Sequence, residues 1–292
     1  MKNDTALNGK VLVFQNDRKH REAQEEIEAF TKDIIELDPQ DAAEAYYNRG
    51  NAYDKLGDYQ QAIDGYSKAI ELNPLDTEAY FKRGNAYDAL GNFQQAIEDF
   101  NKVIELDPQD AIAYRNRAVA YEKIGKYKKS VNDYSKVIKL KPRDAEAYYN
   151  RGVVIFEIGN TQKACKDFSK VIELNPQYAE AYYNRGITHS SLGDNQHAID
   201  DYSKAIELKP KHKDAYYNRG SLYGKIGDFR RAIEDFNKVI ELNPKDAGAY
   251  RLRGRAYMKL GYYPRAFKNF KSAARLGDKE MQELVRNTLF DW

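Results

Sequence analysis

The chain has one cysteine, Cys165, in 292 residues. No internal disulfide can therefore form, and nothing demands an oxidising compartment. It also lacks any apolar run near the ~20 residues that cross a bilayer. The apolar stretch Val11-Leu12-Val13-Phe14 is too short for the core of a secretory signal, so a cytoplasmic location is expected, although a trimmed leader would leave no trace. An excess of one charge is missing too: Lys+Arg 47 against Asp+Glu 45 leaves +2, which gives no global reason for a nucleic-acid or anionic-membrane partner. Hydrophobic residues are scarce, at 42%, while tyrosine is abundant, at 24 residues. A thin, extended fold with a tyrosine-rich interior reconciles the two.

The chain contains a strict internal period. Tyr148-Tyr149-Asn150-Arg151-Gly152 returns as Tyr182-Tyr183-Asn184-Arg185-Gly186 and again as Tyr216-Tyr217-Asn218-Arg219-Gly220, 34 residues apart each time. From Ala43, seven such units run to Glu280. The fourth position is always tyrosine (Tyr46, Tyr80, Tyr114, Tyr148, Tyr182, Tyr216, Tyr250). The eighth is glycine except for Ala118, and the eleventh is mostly tyrosine. Spacings of four and three put these positions on one helical face, where the small residue admits a second helix. Glycine at the fifteenth position, from Gly57 to Gly261, ends the first helix. A second apolar series follows, as in Ala62, Ile63, Tyr66, Ala69 and Ile70, and Pro74 and its equivalents stop it. Asp76, Asp110, Asp144 and Asp246 are placed to cap the next first helix. Each unit is thus a helix hairpin that must stack on its neighbours.

The recurring small-and-aromatic pattern resembles the tetratricopeptide repeat family, most closely its bacterial members, over about four-fifths of the chain. The resemblance implies an all-α, right-handed superhelical solenoid of helix hairpins whose first helices line a concave groove for protein ligands. The expected organisation is an irregular segment 1–22, a partial repeat or capping helix over 23–42, seven repeats over 43–280 and the end of a capping helix over 281–292. Residues 23–37 read as a helix ending at Pro39, with Ile27, Phe30, Ile34, Ile35 and Leu37 apolar. Met281, Leu284, Val285 and Leu289 make an amphipathic helix able to cover the last repeat.

No residue group stands out for catalysis. Cys165 occupies a position held by Ile63, Ile97, Val131, Ile199, Ile233 and Phe267 elsewhere, so a buried apolar role is expected. His189 stands where other units have a core tyrosine, and His20, His197 and His212 lack metal-ligand spacing. There is no phosphate-cradling loop and no nucleophile elbow. The expectation is a non-enzyme with no cofactor and no metal. The arginine at the seventh position of every unit reads as an internal ion-pair series with Asp99, Asp133, Asp167, Asp201 and Asp235, Arg151–Asp167 being representative; the other reading is a basic ladder for an acidic ligand or RNA.

Carried over by position, the resemblance implies that the groove is lined by Tyr149, Tyr183, Tyr217, Val153, Ile187 and Phe156, with Asn48, Asn116, Asn150, Asn184 and Asn218 at its edge and Arg251 and Arg255 at its last unit. Asparagine offers a donor and an acceptor together, which suits an extended peptide backbone, as in the asparagine ladders of superhelical tetratricopeptide grooves. Two plainer readings stay open: the asparagines are merely tolerated, and the tyrosines pack between repeats. Hydrogen bonds of about 0.5–1.5 kcal/mol each would barely offset the ~2–5 kcal/mol of ordering a peptide, so the aromatic patch must supply affinity. Acidic residues in the first units (Asp54, Asp88, Glu122, Glu44, Glu78) against Arg251 and Arg255 in the last predict a ligand with basic residues toward the N-terminal units and acidic ones toward the C-terminal units. The chaperone-tail clamp of the family is not assembled, because Tyr47 and Phe81 replace its lysine. The leading expectation is a scaffold or adaptor holding a segment of a protein partner, without direct membrane insertion. The alternatives are a self-associating homo-oligomeric scaffold and, with the 34-residue period and near-neutral charge against it, a helical-repeat RNA binder.

Overall fold

The computed structural model describes residues 21–29 and 38–289, with side chains to residue 287. Among these, all regular structure is helical. The chain divides into two compact units, residues 1–147 and 148–292. The first holds α1 (residues 21–29), α2 (Pro39–Leu56), α3 (Tyr59–Leu72), α4 (Thr77–Ala89), α5 (Phe93–Leu106), α6 (Ala111–Lys123) and α7 (Tyr127–Leu140). The boundary falls in the first turn of α8 (Ala145–Glu157). The second unit continues through α9 (Thr161–Leu174), α10 (Ala179–Ser191), α11 (Asn195–Leu208), α12 (Lys213–Lys225), α13 (Phe229–Leu242), α14 (Ala247–Lys259), α15 (Tyr263–Arg275) and α16 (Lys279–Leu289). Within each unit, successive helices pack as hairpins, and each hairpin packs on the next.

Local chemistry explains the boundaries. Asp76, Asp110, Asp144 and Asp246 accept backbone N–H bonds at 2.8–3.0 Å and so cap their helices as expected. Glycines at the hairpin turns, Gly57 through Gly261, all have φ between 70° and 87°, the left-handed region that other residues avoid. α2 differs from the expected start of its unit. It begins at Pro39, four residues before Ala43, because Asp38 caps it and proline is tolerated at the first helical position. Of the predicted helix 23–37, residues 23–29 are helical, with Ala23 buried; Phe30, Ile34, Ile35 and Leu37 lie outside the described residues, as do residues 1–20.

The core of each hairpin is one ring from its second helix: Tyr66, Phe100, Tyr134, Phe168, Tyr202, Phe236 or Phe270, each at most 2% exposed. A glycine opposite admits that ring in every hairpin but that of Tyr134, where Ala118 stands. A Cβ on Gly186 would stand 2.7 Å from the Tyr202 ring. At the seventh position the ion-pair reading holds: Arg83–Asp99, Arg117–Asp133, Arg151–Asp167, Arg185–Asp201 and Arg219–Asp235 meet at 2.7 Å. Most of these arginines also lie over a first-helix tyrosine, as Arg219 does over Tyr216 and Tyr223. The end hairpins deviate. Gly65 replaces the aspartate in α3, so Arg49 turns to the exposed Asp64 at 3.3 Å, and Asn269 replaces it in α15. At the C-terminus Met281 is buried and Leu284 and Val285 pack with Phe270 and Ala273, so α16 covers the last hairpin; the Leu289 side chain lies outside those described. No helix among the described residues is long and apolar enough to cross a membrane.

Candidate functional site

The residues expected to line a groove sit on the first helices of the hairpins. In the second unit α8, α10 and α12 carry Tyr149-Asn150, Tyr183-Asn184 and Tyr217-Asn218, one helical turn before Val153, Ile187 and Ser221. All of these side chains are half-buried, as is Phe156. They are neither submerged in the core nor free in solvent.

The tyrosines and asparagines form couples that cross from one repeat to the next. The Asn184 amide donates to the Tyr149 hydroxyl at 2.9 Å, and the Asn218 amide donates to the Tyr183 hydroxyl at 3.2 Å. Each ring lies in an aromatic niche. Tyr149 stands 5.9 Å from Phe168 and 5.1 Å from Tyr178; Tyr183 stands 5.9 Å from Tyr202 and 4.6 Å from the His212 ring. Tyr217 meets Phe236 edge-on at 6.0 Å. Its hydroxyl rests on Gly248, where a Cβ would come within 3.0 Å. Burial holds all three phenols above their ordinary range, so each keeps its proton and can donate. The tyrosines thus pack between repeats, one of the readings left open by the sequence, and keep part of their surface exposed. The asparagines are not idle either. Among the described residues Asn150 makes no side-chain hydrogen bond, while Asn184 and Asn218 each spend a donor and keep the amide oxygen.

Two members of this arrangement escaped the sequence reading. Tyr178 and His212 occupy the cap position that is aspartate at 76, 110, 144 and 246. His212 still caps α12, accepting from the Ala215 N–H at 3.4 Å, while Tyr178 makes no cap bond. The signal was present as a break in the aspartate series, next to Tyr149 and Tyr183. Burial, with Lys209 nearby, holds the His212 imidazole below its ordinary range, which keeps it a neutral acceptor.

Arg251 and Arg255 are placed together on α14 but already hold carboxylates. Arg251 forms an ion pair with Asp278 at 3.0 Å and bonds Glu280 at 2.9 Å, and Arg255 bonds Glu280 at 2.5 Å. Asp278 and Glu280 open α16, so the expected basic end of the groove is largely neutralised from within.

In the first unit, Asn116 donates to Asn85 at 2.8 Å, and Arg115 is held by Asp144 and Glu146. Asn48 lines a recess of about 460 Å³ with Glu26, Asn51, Asp54, Lys55 and Lys82, in which α1 is tied down by the Lys55–Glu26 pair at 2.9 Å. Cys165 is half-buried rather than buried, as are Val131 and Ile233 at the same repeat position, and its Sγ lies 3.8 Å from His189 Nε2. His189 also faces Asp194 and Asp201 at 3.7 and 3.8 Å. No group of three or more His, Cys, Asp or Glu among the described residues could hold a metal ion.

Family comparisons agree with this architecture. The tetratricopeptide repeat model matches residues 43–75, 77–110, 179–212 and 214–246. A TPR repeat model matches 123–159 and 154–193, and a further tetratricopeptide repeat model matches 100–132. No curated protein sequence matches the chain. Among solved structures, a MamA protein is 30% identical, over 59% of this chain and 94% of its own, with a TM-score of 0.56. YrrB, described as a TPR protein with an unusual peptide-binding site, is 26% identical over 66% of this chain and 98% of its own, with a TM-score of 0.59. A tetratricopeptide repeat protein from Parabacteroides merdae is 26% identical over 85% of this chain and 98% of its own, with a TM-score of 0.61.

Proposed function

The chain belongs to the tetratricopeptide repeat family, and from that premise we propose that it is a non-catalytic scaffold holding a segment of a partner protein against the Tyr–Asn face of its second unit. The observation that carries this reading is the repeated couple of a half-buried tyrosine and an asparagine from the next repeat. Rigid amphipathic tyrosines give contact area at little entropic cost. The asparagine oxygens and the phenol protons then offer one acceptor and one donor per repeat to a polar backbone. Val153, Ile187 and Phe156 add apolar surface one to two turns away. A peptide-binding site in YrrB is consistent with this use of the fold.

Panning a random peptide library against the wild type and an Asn150→Ala/Asn184→Ala/Asn218→Ala variant tests the proposal, with the fold of both checked by circular dichroism. Peptides that select on the wild type and not on the folded variant support it. Equal selection by both, or none by either, removes it.

A further inference from the structure

Five of the second helices carry one ion pair on their outer faces, a lysine bonded to the glutamate three residues on. Lys68–Glu71, Lys102–Glu105, Lys170–Glu173, Lys204–Glu207 and Lys238–Glu241 span 2.6–3.1 Å. α7 and α15 lack it: α15 has Ser272 and Arg275 at these positions, while α7 keeps the lysine, Lys136, and has Lys139 three residues on. At about 100° per residue, Lys128, Lys129, Lys136 and Lys139 fall in one sector of the helix. Ser130, Asp133, Tyr134 and Val137 are buried on the other side. Lys141 and Arg143 follow just beyond the C-terminus of the helix, both exposed.

These cations have no carboxylate within ion-pair reach among the described residues. Lys129 and Lys136 lie over the Tyr121 and Tyr114 rings at 5.4 and 5.7 Å. The aspartate on α7, Asp133, is 6% exposed and held at two points by Arg117. Where those five helices gain a few tenths of a kcal/mol from the pair, α7 carries like charges side by side. A concentrated positive field without an internal counter-charge is satisfied from outside.

We infer that this face of α7 docks an acidic, extended segment of a partner protein. The site is separate from the Tyr–Asn face and does not depend on it. From Lys128 to Lys139 the stripe is about 17 Å long, which five or six extended residues span at ~3.3 Å each. Its width is that of one helix. A planar anionic membrane would also meet the equivalent faces of α3 and α5, where Asp64, Glu71, Glu98 and Glu105 are exposed. Single-stranded nucleic acid draws on stacked aromatic platforms, and on this helix Tyr127 is the exposed ring, at 39%. Lysines, as compact point charges without a guanidinium fork, suit carboxylates spread along a segment.

The test uses the whole chain at low salt and fluorescence anisotropy with a short glutamate-rich peptide, a lysine-rich counterpart, an oligothymidylate and phosphatidylserine vesicles as probes. Lys128→Glu/Lys139→Glu re-creates at 136–139 the pair that five other helices carry, so it keeps the helix; Lys225→Glu/Lys259→Glu changes net charge equally elsewhere. The glutamate-rich peptide is expected to bind and to lose about tenfold in affinity in the α7 variant only. Equal loss in both variants, no binding, or tighter binding of the oligothymidylate or vesicles through the same lysines would overturn the inference.

Discussion

Arg185 and Asp201 meet in a two-point bond, Nε to Oδ2 at 2.9 Å and Nη2 to Oδ1 at 2.7 Å, while the remaining guanidinium nitrogen reaches the Ser169 hydroxyl of the preceding repeat at 3.3 Å. One side chain therefore closes its own hairpin and fastens it to the one before. Asp201 is 5% exposed, so deleting its carboxylate leaves a mostly buried cation without a counter-charge. Asp201→Ala is expected to cost about 3 kcal/mol in denaturant unfolding. A double-mutant cycle with Arg185→Met should show strong coupling; additive effects would mean the pair does not hold the hairpin.

Asn269 offers the converse. Arg253 has an amide oxygen where five other hairpins supply a carboxylate, and burial holds its guanidinium below the ordinary range. Asn269→Asp should stabilise the C-terminal hairpin by about 1 kcal/mol, despite losing the bond to the Arg265 carbonyl. A lowered melting temperature would contradict the stitching role.

The His212 imidazole titrates below its ordinary value because it is buried, so protonation opposes the folded state. Its contribution to stability is complete above the unfolded pKa of about 6.5 and is lost as pH falls toward the depressed folded value. Thermal stability should therefore decline from about pH 6.5 downward, and His212→Asn, which keeps a capping side chain, should flatten that decline. An unchanged pH profile would show that His212 is not the group responsible.

Much of this was legible in advance. The hairpin boundaries followed from Gly57 and its equivalents, and the Arg–Asp series from matched heights on two helices, because both are local and repeat in phase. Three features were not. Tyr178 and His212 join the Tyr–Asn face by breaking the cap series, and a break draws no notice when the eye follows the repeat. Glu280 neutralises Arg251 and Arg255 because α16 takes the place of a next first helix, which depends on packing rather than spacing. The Tyr–Asn couples bridge neighbouring repeats, so neither partner's own helix reveals them.

The pairing of Glu280 has a consequence for binding. A ligand carboxylate arriving at α14 must displace it, and Glu280 is half-exposed. Glu280→Gln should raise affinity for acidic-ended peptides several-fold at low salt and leave neutral ones unchanged, measured by calorimetry. Equal effects on both would mean that Arg251 and Arg255 do not meet the ligand.

Scaffolding through the Tyr–Asn face is the central claim, and photo-crosslinking tests it most directly. A photoreactive phenylalanine analogue replaces Ile187 on that face in one protein and Glu234 on the outer face of α13 in another, each irradiated with a library-selected peptide. The account predicts adducts at position 187 and none at 234. Adducts at 234 alone, or at neither position while the peptide remains bound, would contradict it.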